Sequence, residues 1–145
     1  EMSASLVGSE MCIRDRIMGC DLRKASEETK KTLLNKDLIA INQDLEARGA
    51  YVIKPLPDAY NENEAFILVK PLADGDLAIG IFNFSDTQRE LSLEFWDMGI
   101  PYAAGVSLSL HDCITGEELG EFTERFAPVV PSHGCVVVRA RIVEK

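Results

Sequence analysis

The apolar positions of this chain change period partway along it. From Ser26 they recur at helical spacing, as Leu33 and Leu34, then Leu38 and Ile39, then Ile41, ahead of the polar run Asn42, Gln43, Asp44. Ser26 is the expected N-cap, because a hydroxyl placed before the first turn can accept from N–H groups that have no partner in the helix. Glu27 and Glu28 fall in the first turn, where the helix dipole favours acids, and Lys30 and Lys31 follow toward the other end. Asn35 is expected to interrupt the helix, which resumes over residues 36–42. After Gly49 the helical period disappears.

From Tyr51 the pattern is that of strands separated by turns. "AFILVKPL" (65–72) and "LAIGIFNF" (77–84) are joined by Ala73-Asp74-Gly75-Asp76, and Asp-Gly between two apolar runs predicts a hairpin. "RELSLEF" alternates, placing Leu91, Leu93 and Phe95 on one face, and "VSLSLHD" does the same with Val106, Leu108 and Leu110. Thr115-Gly116 marks a turn, residues 122–126 a short strand, and "CVVVRARIV" (135–143) a long final one. Seven or eight short strands predict a mainly β fold, an antiparallel β-sandwich over residues 49–145.

Composition narrows the function classes. The chain has 145 residues, 46% of them hydrophobic, enough for one domain with a real core. Twenty-four acidic against 15 basic residues give a net charge of -9, and the cations are scattered. Nucleic acid and anionic membrane are therefore poor partners. No apolar run approaches the ~18 residues of a membrane span, and the first residues lack the order of a signal peptide.

Candidate chemistry is sparse. His111-Asp112-Cys113 and His133-Gly134-Cys135 both read H-x-C, and on strands positions i and i+2 share a face, so each could present two zinc ligands. Structural zinc sites carry tighter cysteine spacing, which leaves the cysteines as small core residues and the histidines as turn residues. A disulfide framework is not expected at this size. Asp74 with Asp76, and Glu117 with Glu118, are acid pairs at turns, where solvated acids are common. Trp96, Tyr51, Tyr60 and Tyr102 are the candidates for a sugar-stacking platform. Trp96 falls on the face opposite Leu93 and Phe95, yet at a strand end beside Asp97-Met98-Gly99, which favours packing.

"IMGCDLR" (17–23) reads as a buried strand turning into the helix at Ser26, a strand-loop-helix unit with no neighbouring strand to pair with. Together with "NKDLIAINQD" (35–44), "FNFSD" (82–86), "FWDMGI" (95–100), "LHDCITGE" (110–117) and "PSHGCVVVRA" (131–140), it closely resembles glycoside hydrolase family 27, the α-galactosidases and α-N-acetylgalactosaminidases. The resemblance covers residues 17–145 and is most specific over 35–44. One departure follows Asp44, where the family usually continues Pro-Leu-Gly and this chain has Leu45-Glu46-Ala47.

The resemblance implies that residues 17–48 are the last strand and helix of a truncated (β/α)8 catalytic barrel, with Leu34, Leu38, Ile39 and Ile41 packed against its strands. Asn42, Gln43 and Asp44 would cap the helix end and tie it to the β-domain. Residues 1–16, "EMSASLVGSEMCIRDR", do not fit the family and look like a translated adapter junction of the kind found at the ends of assembled metagenomic sequences. Retaining glycosidases use two carboxylates about 5–5.5 Å apart, at the C-terminal ends of barrel strands. In this family both are aspartates on strands before residue 17. The resemblance therefore implies an α-galactoside substrate for the full-length enzyme, and a fragment that is inactive by itself. No residue of this chain is assigned a catalytic, substrate-binding or metal-binding role, and no cofactor is implied. Asp21 lies where the last barrel strand would meet its loop, and a capping role is expected for it. The alternatives are a carbohydrate-binding or structural β-module, or a fragment of an α-N-acetylgalactosaminidase.

Overall fold

Ser26 caps the first helix as its sequence suggests. In a computed structural model that describes residues 23–55 and 65–144, its Oγ accepts from Thr29 N at 3.1 Å and starts α1 (Glu27–Leu33). Asn35 is the break: its Oδ1 accepts from the N–H groups of Asp37 and Leu38 at 2.9 and 3.1 Å, so it caps α2 (Lys36–Asn42). The same side chain donates from Nδ2 to Cys113 O at 2.7 Å, so one residue ends α1, starts α2 and anchors both to the β-domain.

Ten strands follow among the described residues: β1 (Tyr51–Pro55), β2 (Ala65–Pro71), β3 (Leu77–Asn83), β4 (Arg89–Glu90), β5 (Leu93–Glu94), β6 (Val106–Asp112), β7 (Glu118–Phe122), β8 (Arg125–Phe126), β9 (Val129–Val130) and β10 (Cys135–Glu144). Six form one antiparallel sheet in the order β1-β2-β3-β10-β6-β7. The β2-β3 hairpin turns at Gly75, whose φ of 87° suits glycine, and is closed by Leu72 N donating to Asp76 O at 2.9 Å. The second layer is made of two short ladders, β4-β9 and β5-β8.

Between these layers lies the core. Ile67 and Val69 of β2, Ile79 and Ile81 of β3, Leu108 and Leu110 of β6, and Val138 and Ala140 of β10 point one way from the large sheet. Leu91, Leu93, Phe95, Phe126 and Val130 meet them from the second layer. Each large side chain fully withdrawn from water in this way contributes about 1.5–3 kcal/mol.

Two expectations need correction. Residues 122–126 are not one strand: β7 ends at Phe122 in the large sheet and β8 begins at Arg125 in the second layer. The chain changes layers there, and Phe122 and Phe126 meet edge to face at 5.2 Å across the change. "RELSLEF" does place Leu91, Leu93 and Phe95 in the core, but its ladder is confined to β4 and β5, and Phe95 opens a 3-10 turn, Phe95–Met98.

Candidate functional site

The strand register sorts the outer face of the large sheet, the one turned away from the core. Phe66 lies opposite Phe82, Leu68 opposite Gly80, and Gly80 opposite Val137. Beyond them Lys70 faces Ala78, Ala78 faces Arg139, Arg139 faces His111, and His111 faces Glu118. The face thus runs from aromatic to charged. Phe66 packs 5.2 Å from both Phe82 and Phe84, and Phe84 remains 48% exposed. A Cβ on Gly80 would come within 2.7 Å of the Phe82 ring, so the ring is seated over the glycine.

The segment from Asn35 to Asp44 crosses this face. Leu38 and Ile41 of α2, with Leu68, Ala78, Phe82 and Val137 of the sheet, line a cleft of about 220 Å³. Leu38 and Ile41 face the sandwich across this cleft, and Leu34 is 62% exposed. The orientation is set by polar anchors at both ends of α2. Lys70, itself buried, donates from Nζ to Ile41 O at 2.6 Å, and Asp44 Oδ1 accepts from Ala73 N at 2.9 Å and Glu46 N at 3.0 Å. Asp44 therefore ties the helix end to the β-domain as its position suggests, and Gln43 is the C-cap, its N–H donating to Ile39 O.

The charged end of the face holds two clusters. Arg139 donates from Nε to Asp76 Oδ2 at 2.8 Å and from Nη2 to Asp74, while Arg141 Nε stands 3.6 Å from Asp76 Oδ1. Asp76 is buried, which overturns its reading as a solvated turn acid. In the second cluster His111 Nδ1 lies 2.8 Å from Glu118 Oε1 and Nε2 lies 3.3 Å from Asp37 Oδ2. Its pKa is raised, first by the Asp37 hydrogen bond and then by that of Glu118, against a smaller opposing effect of burial.

These contacts decide the chemistry open to the candidates. Asp74 and Asp76 share one guanidinium, and Glu118 is engaged by His111, so neither acid pair stands free as a nucleophile with a proton donor. Of the two H-x-C strings, His111 is committed to carboxylates and His133 lies 2.9 Å from Asp86. Burial pushes the Cys113 thiol up to about 11 and also raises Cys135, so neither is an activated thiolate. Among the described residues no group of three or more His, Cys, Asp or Glu is placed to hold a metal ion. Trp96, Tyr102 and Tyr51 are 54, 59 and 50% exposed, so the packing expected of Trp96 is only partial. Asp21 and Tyr60 lie outside the described residues, as do residues 1–16 and, of the expected strand at 17–23, all but Arg23.

Sequence reasoning missed Lys70, Arg139 and Asn83. Asn83 is buried and shares its amide N–H groups among Thr87 O, Val130 O and Pro131 O at 2.9, 3.1 and 3.0 Å, while its Oδ1 accepts from Ser85 N and Ser85 Oγ. An asparagine between two phenylalanines, like a lysine closing an apolar run, was the available signal.

Comparison with known proteins gives the following. Residues 62–140 match the family described as "Alpha galactosidase C-terminal beta sandwich domain". The chain is 34% identical over 125 residues to a Dictyostelium discoideum protein named "Probable alpha-galactosidase", covering 84% of this chain and 31% of that protein. The fold superimposes on alpha-galactosidase I from Mortierella vinacea with a TM-score of 0.73 at 23% identity, over 86% of this chain and 31% of that one. It also superimposes on a family 27 β-L-arabinopyranosidase from Geobacillus stearothermophilus with a TM-score of 0.72 at 21% identity, over 94% of this chain and 29% of that one. The chain thus spans about a third of the length of these relatives.

Proposed function

Because the chain belongs to the alpha galactosidase C-terminal beta sandwich family, we propose that it is the C-terminal part of a retaining α-galactosidase acting on terminal α-D-galactosyl residues of oligosaccharides or galactosides. The observation that carries this reading is the family match over residues 62–140, on a sandwich whose Asp74, Asp76 and Glu118 are held in ion pairs. Hydrolysis with retention needs a carboxylate nucleophile and a second carboxyl group that protonates the leaving oxygen. On this reading both come from the two thirds of the relatives' length that lies outside this chain. Residues 17–48 then close the catalytic barrel, and the sandwich holds that closing segment from behind through Asn35, Lys70 and Asp44.

The sugar is chosen outside this domain in this account. The same fold accompanies the Mortierella alpha-galactosidase and the Geobacillus β-L-arabinopyranosidase, so a conserved sandwich is compatible with different glycosides. The test is to clone the source DNA through the codons for residues 16 and 17 and to assay p-nitrophenyl α-D-galactopyranoside with the longer product and with the 145-residue chain. Hydrolysis by the longer product alone is expected. Hydrolysis by neither product, or by the short chain itself, overturns the proposal.

A further inference from the structure

The contact between α2 and the sheet includes one group that gains or loses a proton near neutral pH. Both ring nitrogens of His111 face carboxylates, Glu118 at 2.8 Å and Asp37 at 3.3 Å. A neutral imidazole has one N–H and one lone pair, so it can donate to only one carboxylate and turns its lone pair toward the other. The imidazolium donates to both. From this geometry we propose that His111 is a proton-operated latch, holding α2 on the sandwich in its charged form and loosening that hold when it becomes neutral.

The surroundings support this reading from every side. Asp37 comes from α2 and Glu118 from β7, while Arg139 lies directly across the strand pair on β10. Arg139 would repel the imidazolium, but Asp74 and Asp76 of the β2-β3 turn hold its charge, and Arg141 also points to Asp76. On its own strand His111 is followed by Asp112, whose carboxylate accepts from Ile114 N and Thr115 N. The field at the ring is therefore set by Asp37 and Glu118, which raise its pKa. A group whose pKa is higher folded than unfolded contributes stability that is fully present below the ordinary imidazole value near 6.5 and is lost as pH rises through the raised value. The other anchors of α2, the Asn35 amide and the backbone N–H of Ala73, stay in place over this range. The latch therefore weakens the hold on α2 without releasing it.

The test joins nitrogen NMR of the histidine rings with amide exchange of α2 in the 145-residue chain. Two protonated ring nitrogens are expected for His111 at about pH 6, with a titration above the ordinary imidazole range. Protection of the α2 amides, corrected for intrinsic exchange, is expected to fall about threefold or more between about pH 6 and pH 8. His111→Gln, which keeps a hydrogen-bond donor but cannot titrate there, is expected to remove this dependence and leave β2 and β3 protected. A neutral His111 at pH 6, α2 protection that ignores pH, or the same dependence in H111Q overturns the proposal. Should H111Q fail to fold, the ring titration of the unaltered chain decides by itself.

Discussion

Ala47→Gly should stabilise this protein, although it removes a methyl group and adds freedom to the unfolded chain. Ala47 has a φ of 55°, in the left-handed region, at the position where family 27 usually carries the glycine of Pro-Leu-Gly. The conformation is imposed by the turn that starts at Asp44, where Ala47 N donates to Asp44 O at 3.1 Å and the Asp44 carboxylate accepts from Glu46 N. An L-residue with a Cβ is less stable there than glycine by about 1–2 kcal/mol. The extra freedom of glycine in the unfolded chain takes back about 0.4–1 kcal/mol. The net gain is about 0.5–1 kcal/mol. Since 1 kcal/mol moves the midpoint of a domain of this size by roughly 3–5 °C, the expected rise in Tm is about 2–4 °C. The turn shares in the global transition because Asp44 is bonded to Ala73 N of the sandwich. Urea unfolding should accordingly show a higher midpoint at unchanged slope, and Ala47→Val, which adds β-branching at the same φ, should show a lower one. A loss of stability in A47G, or no loss in A47V, would refute a left-handed residue 47. His133 also has a positive φ, 51°, but glycine there would delete its contact with Asp86, so Ala47 gives the cleaner comparison.

Asn83→Ala should cost about 2 kcal/mol, because it removes the amide that bridges the Thr87, Val130 and Pro131 carbonyls and takes the acceptor from Ser85 N; a loss under about 1 kcal/mol in a calorimetric scan would mean that water replaces the amide. Asp76→Asn should lower stability at neutral pH by about 2 kcal/mol and Asp74→Asn by under about 1 kcal/mol, since the Asp76 side chain is 7% exposed and that of Asp74 is 51% exposed. Equal losses in a denaturant series would show that burial does not separate the two acids. Amide exchange should be fast in α1, slower in α2, whose Ile41 carbonyl receives Lys70, and slowest in β2, β3 and β10; protection of α1 equal to that of β3 in a monomer would contradict this order. If the half-exposed Trp96 is a sugar platform, the chain should be retarded on galactomannan gels and Trp96→Ala should abolish the delay, whereas free passage of the unaltered chain counts against any such role.

Signals carried by neighbouring residues were legible in the sequence. The caps made by Ser26 Oγ and Asn35 Oδ1 act within three residues of their own position, Gly75 turns the chain where it stands, and the alternations in "VSLSLHD" and "CVVVRARIV" report a face directly. What was not legible depends on partners far along the chain. Asp76 looked like an ordinary turn acid because nothing near it shows that Arg139, 63 positions on, will lie beside it. Lys70 drew no reading of its own, because its acceptor is the last turn of a helix 29 positions back. The break between β7 and β8 was hidden for a related reason. Residues 122–126 have strand composition throughout, and only the change of layer divides them.

The same distinction divides the residues of "NKDLIAINQD" (35–44). A helix that merely filled space would need only its apolar positions, and Leu38 and Ile41 supply those. The polar residues answer to the sandwich instead. Asn35 reaches the Cys113 carbonyl, Asp37 reaches His111, the Ile41 carbonyl receives Lys70, and Asp44 holds Ala73 N. Four contacts spaced over ten residues fix both the rotation of α2 and its position along the sheet. An apolar face alone tolerates sliding by a turn, whereas directional hydrogen bonds at both ends do not. If residues 17–48 close a catalytic barrel, the sandwich determines where that closing helix sits, and a change at Lys70 or Asp44 would reach the active site by displacing it. Such a variant would lower kcat in the longer product while leaving the sandwich folded, so a far-ultraviolet spectrum and an activity assay taken together would separate a positioning effect from simple unfolding.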